Sequence, residues 1–312
     1  MYSLDIDLWA ANLRTQSPSL ADWLAAVDLR AAGAAARGTK MLVMPEYSCV
    51  QWLSFAPLDL PPDGQLAFLA GLVDAALAGL ALISTQHDVA ILPGTMPVRI
   101  AEANGLPVFA NRAFFLTPEG ALHWQDKLSL TPAETNGVSG VSVPGSVVRL
   151  IAWRGLRIAI LICLDSEFTD LWPLVGKANV DLVLIPAKTE MITGFHRVFA
   201  CARARAIELQ SVVCVVGAVG APLTPFDQGK GVGGAAVYLP CDQSVSLDGI
   251  WAALLPQGAP EAADLSLQAV AVPIAAVRAL RQNGAEAECR PASWPADHIT
   301  LQEPEAAPPI AA

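Results

Sequence analysis

Leu4, Ile6 and Leu8 alternate with Ser3, Asp5 and Asp7, a two-residue period that predicts a strand at the start of the chain. Ser17-Pro18 then marks a helix start, with proline in the first turn where its missing N–H does no harm. An Ala-rich segment carries that helix to about Gly38. Residues 41–44 read as a short apolar strand ending at Pro45-Glu46, residues 64–80 as a helix and residues 89–92 as a strand. The middle of the chain is richer in strand. Residues 108–116 and 121–125 form a hairpin around Thr117-Pro118-Glu119-Gly120, and residues 147–153 and 156–162 a second around Arg154-Gly155. Helix is expected over 168–177, buried strand over 181–185, helix over 195–209 and an apolar, β-rich run over 211–219. Short strands near 235–239, 250–254 and 268–272 precede a last helix over 274–281.

No internal repeat and no linker divides the first 285 residues. Helices alternate with strands, and hairpins are mixed in, which fits one layered α/β (α+β) domain over residues 1–289. Residues 290–312 are rich in Pro and Ala with little periodicity, and read as a surface-hugging or mobile tail.

Composition narrows the picture. The chain has 312 residues, 54% hydrophobic and 15% charged, which excludes a disordered polypeptide. A net charge of -10 argues against nucleic acid and anionic membrane surfaces as partners. The most membrane-like stretch, residues 66–84, is interrupted by Asp74, Gly71 and Gly79, so no spanning helix is expected. The N-terminus lacks a basic segment and carries two early acids, unlike a secretory leader. A soluble, cytoplasmic protein is expected. Six cysteines are spread without two-residue metal spacing, so neither a structural zinc site nor a disulfide framework is expected.

Three segments place a reactive side chain just past an apolar strand: Glu46, Lys127 and Cys163. Strand ends are where a rigid scaffold meets open space. A thiol, a carboxylate and an ammonium suffice for acyl transfer: the sulfur attacks a carbonyl, the carboxylate moves the proton, and the ammonium stabilises the oxyanion. Each residue also has an ordinary reading, as a buried small hydrophobe, a surface charge or a capping carboxylate. Spacing alone leaves open whether the three meet.

The surrounding residues resemble the nitrilase superfamily of carbon–nitrogen hydrolases. Pro45-Glu46 after an apolar strand is similar to that family's glutamate motif, and Asp126-Lys127-Leu128-Ser129-Leu130 to its lysine motif. Glu134 matches a second glutamate found in many members. Cys163-Leu164-Asp165-Ser166-Glu167-Phe168 resembles the cysteine motif, Leu184-Ile185-Pro186-Ala187 the strand that follows, and Ala204-Arg205-Ala206-Ile207-Glu208 the late helix. Order and separations fit from about residue 4 to about residue 285. The resemblance implies a four-layer α-β-β-α sandwich, dimerised through its helices, working without metal or organic cofactor. It implies Cys163 as nucleophile, Glu46 as general base, Lys127 as oxyanion stabiliser aided by the Leu164 N–H, and Glu134 as a support for Lys127.

The chain departs from the family pattern at several points. Thr169-Asp170 replaces a common Pro-Glu, and Leu209 a common Asn. Leu164-Asp165 stands where true nitrilases carry Trp-Glu, which favours an amide over a nitrile substrate. Glu167 stands where many amidase branches carry Arg, so their substrates do not transfer directly. A small linear amide or carbamoyl compound is the expected substrate. A nitrile is the alternative, and a non-catalytic sandwich used for binding or assembly the reading of another class. Trp52 and Phe55 are candidates for a substrate wall or for core, and Lys188 and Glu190 for the site mouth or a solvated pair. His196 is the one candidate partner for a Cys-His dyad, though a structural place fits it better. His87 and His123 lack ligand spacing, and Gly-rich residues 229–234 lack the context of a phosphate loop.

Overall fold

A computed structural model describes residues 3–135, 141–220, 231–258, 263–283 and 299–300. Most of the expected tail, Cys289 and the first part of the Gly-rich turn lie outside the described residues.

Strands β1 (Leu4–Ala10), β2 (Met41–Val43) and β3 (Ala90–Leu92) lie parallel, joined by helices α1 (Leu20–Ala36) and α2 (Gln65–His87). β2 and β3 are apolar on both faces, β1 carries Asp5 and Asp7 on one, and both faces are covered. Leu4, Ile6, Leu8, Met41, Val43, Ala90 and Leu92 point to a second sheet, while Trp9, Leu42 and Ile91 point to Trp23 and Val27 of α1 and Leu69, Val73 and Leu80 of α2. Each such aliphatic side chain contributes about 1.5–3 kcal/mol by leaving water. The sheet continues through the hairpin of β4 (Thr95–Ala103) and β5 (Leu106–Leu116). β6 (Leu122–Asp126) pairs with β5, the short helix α3 (Pro132–Thr135) follows, and β7 (Val141–Ser142) also pairs with β5.

The second sheet holds β8 (Leu150–Trp153), β9 (Leu156–Ile160), β10 (Leu182–Ala187), β11 (Val212–Gly217), β12 (Gly234–Tyr238) and β13 (Ile250–Ala253). Helices α4 (Trp172–Lys177) and α5 (Ile192–Leu209) cover its outer face through Trp172, Val175, Phe195, Val198 and Phe199. β14 (Leu265–Val272) returns to pair antiparallel with β1, and α6 (Ile274–Asn283) ends the described fold. Among the described residues the sheets run β14-β1-β2-β3-β5-β4 and β13-β12-β11-β10-β9-β8. The layers are α-β-β-α, the architecture the resemblance implied.

Details differ from the sequence reading for physical reasons. α1 starts after Ser19, whose hydroxyl accepts the Asp22 N–H at 3.2 Å, so Ser17-Pro18 stand just outside it. The expected 168–177 helix is a 3-10 turn over Thr169–Leu171 followed by α4. β4 was not expected: it contains Pro97, lies at the sheet edge and exposes its outer half, so it shows no full alternation. Its signal was Asn104-Gly105, both at positive φ (52° and 77°) in the hairpin turn. The membrane reading also needs correction, because the helical stretch Pro62–His87 is long and apolar enough, by length and composition alone, to cross a membrane. In the fold its Leu69, Val73, Ala76 and Leu80 pack inward, Asp74 is exposed, and Gly79 lets α1 approach, since a Cβ there would lie 2.5 Å from Leu24 Cδ1.

Candidate active site

Glu46 stands two residues past Met44, whose N–H continues the β2 ladder to the Leu92 carbonyl (2.8 Å). The turn after β3 presses against this strand end. Gly94 has φ +82°, and a Cβ there would fall 1.9 Å from the Pro45 carbonyl oxygen, so only glycine fits. Tyr47 then reverses the chain at φ 55°, its N–H held by Thr95 Oγ1 at 3.0 Å. Lys127 follows β6, with its N–H on the Asn111 carbonyl (2.8 Å) and its carbonyl accepting from Gly145 (2.7 Å). Cys163 follows β9 at φ 48°, a backbone region that a β-carbon penalises, and opens a 3-10 turn over Cys163–Glu167.

Asp165 ties that turn to the lysine loop. Its buried carboxylate accepts the N–H groups of Ile162 (3.0 Å), Leu128 (3.1 Å) and Ser129 (2.8 Å) and the Ser129 hydroxyl (2.5 Å). Leu164 sits at the head of the turn, where N–H groups find no acceptor within a helix.

These supports bring the side chains together. Lys127 Nζ lies 2.8 Å from Glu46 Oε1 and 2.8 Å from Glu134 Oε2. The Cys163 thiol donates to the Lys188 carbonyl (3.6 Å) and sits close enough to the Glu46 carboxylate to feel its charge. Glu46 Oε2 accepts the Lys188 main-chain N–H at 3.0 Å. Glu134 Oε2 also accepts from the Thr131 N–H (2.8 Å) and hydroxyl (3.0 Å) at the start of α3. Asn111 Nδ2 donates to Glu46 Oε1 (2.9 Å) and Glu134 Oε1 (3.0 Å). The Tyr47 hydroxyl lies 3.4 Å from Glu134 Oε1.

The electrostatics follow from burial against charge. Burial raises Glu46; Lys127 pulls it down, Glu134 pushes it up again, and the net direction is upward. Burial alone would lower Lys127, but Glu46, Cys163 and Glu134 around it hold its ammonium well above the ordinary range. For Glu134 burial is outweighed by the Lys127 charge and hydrogen bond, and its carboxyl is held below the usual range. Burial, and then the Glu46 charge, pushes the Cys163 thiol up, so the resting sulfur carries its proton.

The site thus unites Glu46, Lys127, Glu134 and Cys163. Lys188 meets it through its main-chain N–H and C=O groups. Trp52 does not line the site: it is fully buried on the helix side of the first sheet, edge-on to Trp23 at 5.3 Å. Phe55 packs with Phe68 in the same region. Glu190 is exposed, and so is His196 on α5, with its ring against Phe195. Glu167 pairs with Arg197 of α5 at 3.0 Å. Asn111, Tyr47 and the role of Asp165 escaped the sequence reading. The one signal for Asn111 was a polar residue inside the apolar run of β5. Among the described residues no group of three or more His, Cys, Asp or Glu side chains is arranged to hold a metal.

Comparison with known proteins meets this geometry. The model of the carbon-nitrogen hydrolase family matches residues 10–287. The chain belongs to that family. Relatives include the probable hydrolase YhcX of Bacillus subtilis (strain 168), 26% identical over 210 residues, and an (R)-stereoselective amidase of Pseudomonas sp, 29% identical over 187 residues. The matched segments cover 67% and 59% of this chain but 39% and 62% of those relatives. Among solved structures, a cysteine-to-alanine mutant of the Nesterenkonia AN1 amidase from the nitrilase superfamily superposes with TM-score 0.65 at 21% identity, over 90% of this chain and 94% of that one. The amidase from Nesterenkonia sp. gives 0.63 at 22%, over 85% and 90%. These similarities establish the shared fold.

Proposed function

We propose that this protein is a thiol-dependent amidase that hydrolyses the C–N bond of a small linear amide or carbamoyl compound through a thioester. The observation that supports this reading is the Cys163 thiol, on a turn at positive φ, bonded to the carbonyl of Lys188, whose N–H in turn binds a Glu46 carboxylate that shares Lys127 with Glu134. Because the resting sulfur is protonated, Glu46 takes the proton as the S–C bond forms. The carbonyl oxygen gathers charge within reach of Lys127 Nζ and the Leu164 N–H. Collapse breaks the C–N bond, and Glu46 returns the proton to the departing ammonia or amine. Water activated by Glu46 then cleaves the thioester, releases the acid and restores the thiol. Lys127, held cationic by two carboxylates, stays an electrostatic partner throughout. In the Nesterenkonia amidase, a mutant carries the acetamide moiety of fluoroacetamide on its active-site cysteine, which supports a nucleophilic role for the corresponding thiol here.

The test is Cys163→Ala. Ammonia release from small primary amides should vanish while the melting temperature and circular dichroism stay parental, and iodoacetamide should label Cys163 in the parent. A fully active Cys163→Ala protein ends the reading. Nitriles run beside the amides separate the two substrate classes by their acid and amide yields.

A further inference from the structure

We propose that Asn111 is a positioning residue that fixes Glu46 and Glu134 on either side of Lys127 by giving one amide hydrogen to each. An asparagine amide nitrogen has two hydrogens and no acceptor capacity. Here the nitrogen lies 2.9 Å from Glu46 Oε1 and 3.0 Å from Glu134 Oε1. Two carboxylates decide which end of the amide faces them, because the amide oxygen would repel both. That oxygen is buried and has no hydrogen-bond partner. A side chain kept only to fill space would leave no orphaned acceptor behind, so the two donors are what the site retains. The main chain of the same residue also accepts the Lys127 N–H at 2.8 Å. Asn111 therefore sets three parts of the constellation from one position on β5: the lysine backbone and both acids.

Neither carboxylate can do this for the other. Lys127 spends one N–H on Glu46 Oε1 and another on Glu134 Oε2, and it pulls the two acids toward a common point. The Asn111 hydrogens bind Glu46 Oε1 and Glu134 Oε1 from their own side, so each acid is held between an ammonium and an amide. The groups facing Glu46 are Lys127 from the loop after β6, Glu134 from α3, Cys163 from the turn after β9, Tyr47 after β2, and the Lys188 main chain after β10. Of these, Glu134 repels the Glu46 charge and Lys127 attracts it. A neutral donor to both acids lowers their mutual repulsion without cancelling the charge that Glu46 needs as a base. Without it, both acids hold a proton more tightly, and the base form of Glu46 appears only at higher pH.

This proposal rests on the Cys163–Glu46 reading above, and its test separates the two. Asn111→Leu and Asn111→Asp are compared with the parent in the pH profile of kcat/KM for a primary amide and in the pH dependence of Cys163 alkylation by iodoacetamide. In Asn111→Leu the acid limb of kcat/KM should move up by about one pH unit, with kcat reduced and KM little changed, since Asn111 is buried beneath the acids. In Asn111→Asp, nearly the same size, a third carboxylate should move the limb further up. Folded variants that are slow but keep the parental limb would show a packing role and overturn the proposal. So would failure of both variants to fold, because the residue would then be structural. A fully active Cys163→Ala removes the base reading itself; an inactive Cys163→Ala with unshifted Asn111 variants removes only this proposal.

Discussion

Replacing Asp165 by Asn tests whether one carboxylate couples the cysteine turn to the lysine loop. Asp165 reaches backward to Ile162 and across 37 and 36 residues to Leu128 and Ser129. Asparagine keeps the volume but turns one acceptor oxygen into a donor. With its oxygen toward Leu128 and Ser129, its NH2 group meets the Ile162 N–H; in the other orientation it meets the Ser129 N–H and hydroxyl. A lost hydrogen bond to a charged group costs about 1.5–3 kcal/mol, and a buried donor left unpaired about 1–3 kcal/mol. The sum expected for Asp165→Asn is about 2.5–6 kcal/mol, a fall in Tm of about 4–9 °C. The same change loosens Cys163, whose φ of 48° costs of order 1–3 kcal/mol unless its surroundings enforce it. A sulfur displaced by about 1 Å loses on the order of 100-fold in rate. The assay pairs thermal melting with kcat/KM on a primary amide. The gap in Tm should widen as pH falls through the Asp165 pKa, which burial holds above the usual range, because the folded parent then binds a proton more tightly than its unfolded chain while asparagine does not titrate. An Asp165→Asn protein with parental Tm and parental kcat/KM would refute the coupling.

Glu46→Gln should keep Lys127 paired with Glu134 and the fold intact while kcat/KM drops about 10²–10⁴-fold; retained turnover would remove Glu46 as the base. Gly94→Ala should destabilise the protein by more than about 3 kcal/mol and weaken activity with it, since its Cβ must displace Pro45 beside Glu46; a parental melting curve would contradict the contact. Asp181 anchors α6 through Arg278 (2.7 Å) and Arg281, and accepts the Arg157 N–H at 2.9 Å. Burial works against its charge but is outweighed by Arg278, the Arg157 N–H and Arg281, so its folded pKa is lowered. The stability it adds is therefore complete above the ordinary carboxylate range and lost as pH falls through its native value. Asp181→Asn should cost about 3 kcal/mol near neutrality and flatten Tm against pH on the acid side; an unchanged pH dependence would count against the clamp.

The sequence by itself determined the layers and the principal reactive groups. Strands 41–43 and 90–92 are apolar at every position, so they require cover on both faces, and a four-layer sandwich supplies it. Glu46, Lys127 and Cys163 were legible because each is a reactive side chain at the end of an apolar run, in an order shared with a known family. The tertiary structure alone decided the rest. β4 exists because β5 satisfies its backbone, and an edge strand with an exposed half needs no full apolar alternation. Trp52 was an aromatic that suits a substrate wall or a core equally well, and only the position of Trp23 assigns it to the core. The Lys188 contacts with Glu46 and Cys163 use N–H and C=O groups that every residue type except proline possesses, so those contacts carried no signal in the sequence. Asn111 stands 65 residues from Glu46 and 23 from Glu134, and β-sheet register is what brings its amide between them. Side-chain chemistry is written locally, but hydrogen bonds are made at about 3 Å, and only the packed chain sets distances on that scale.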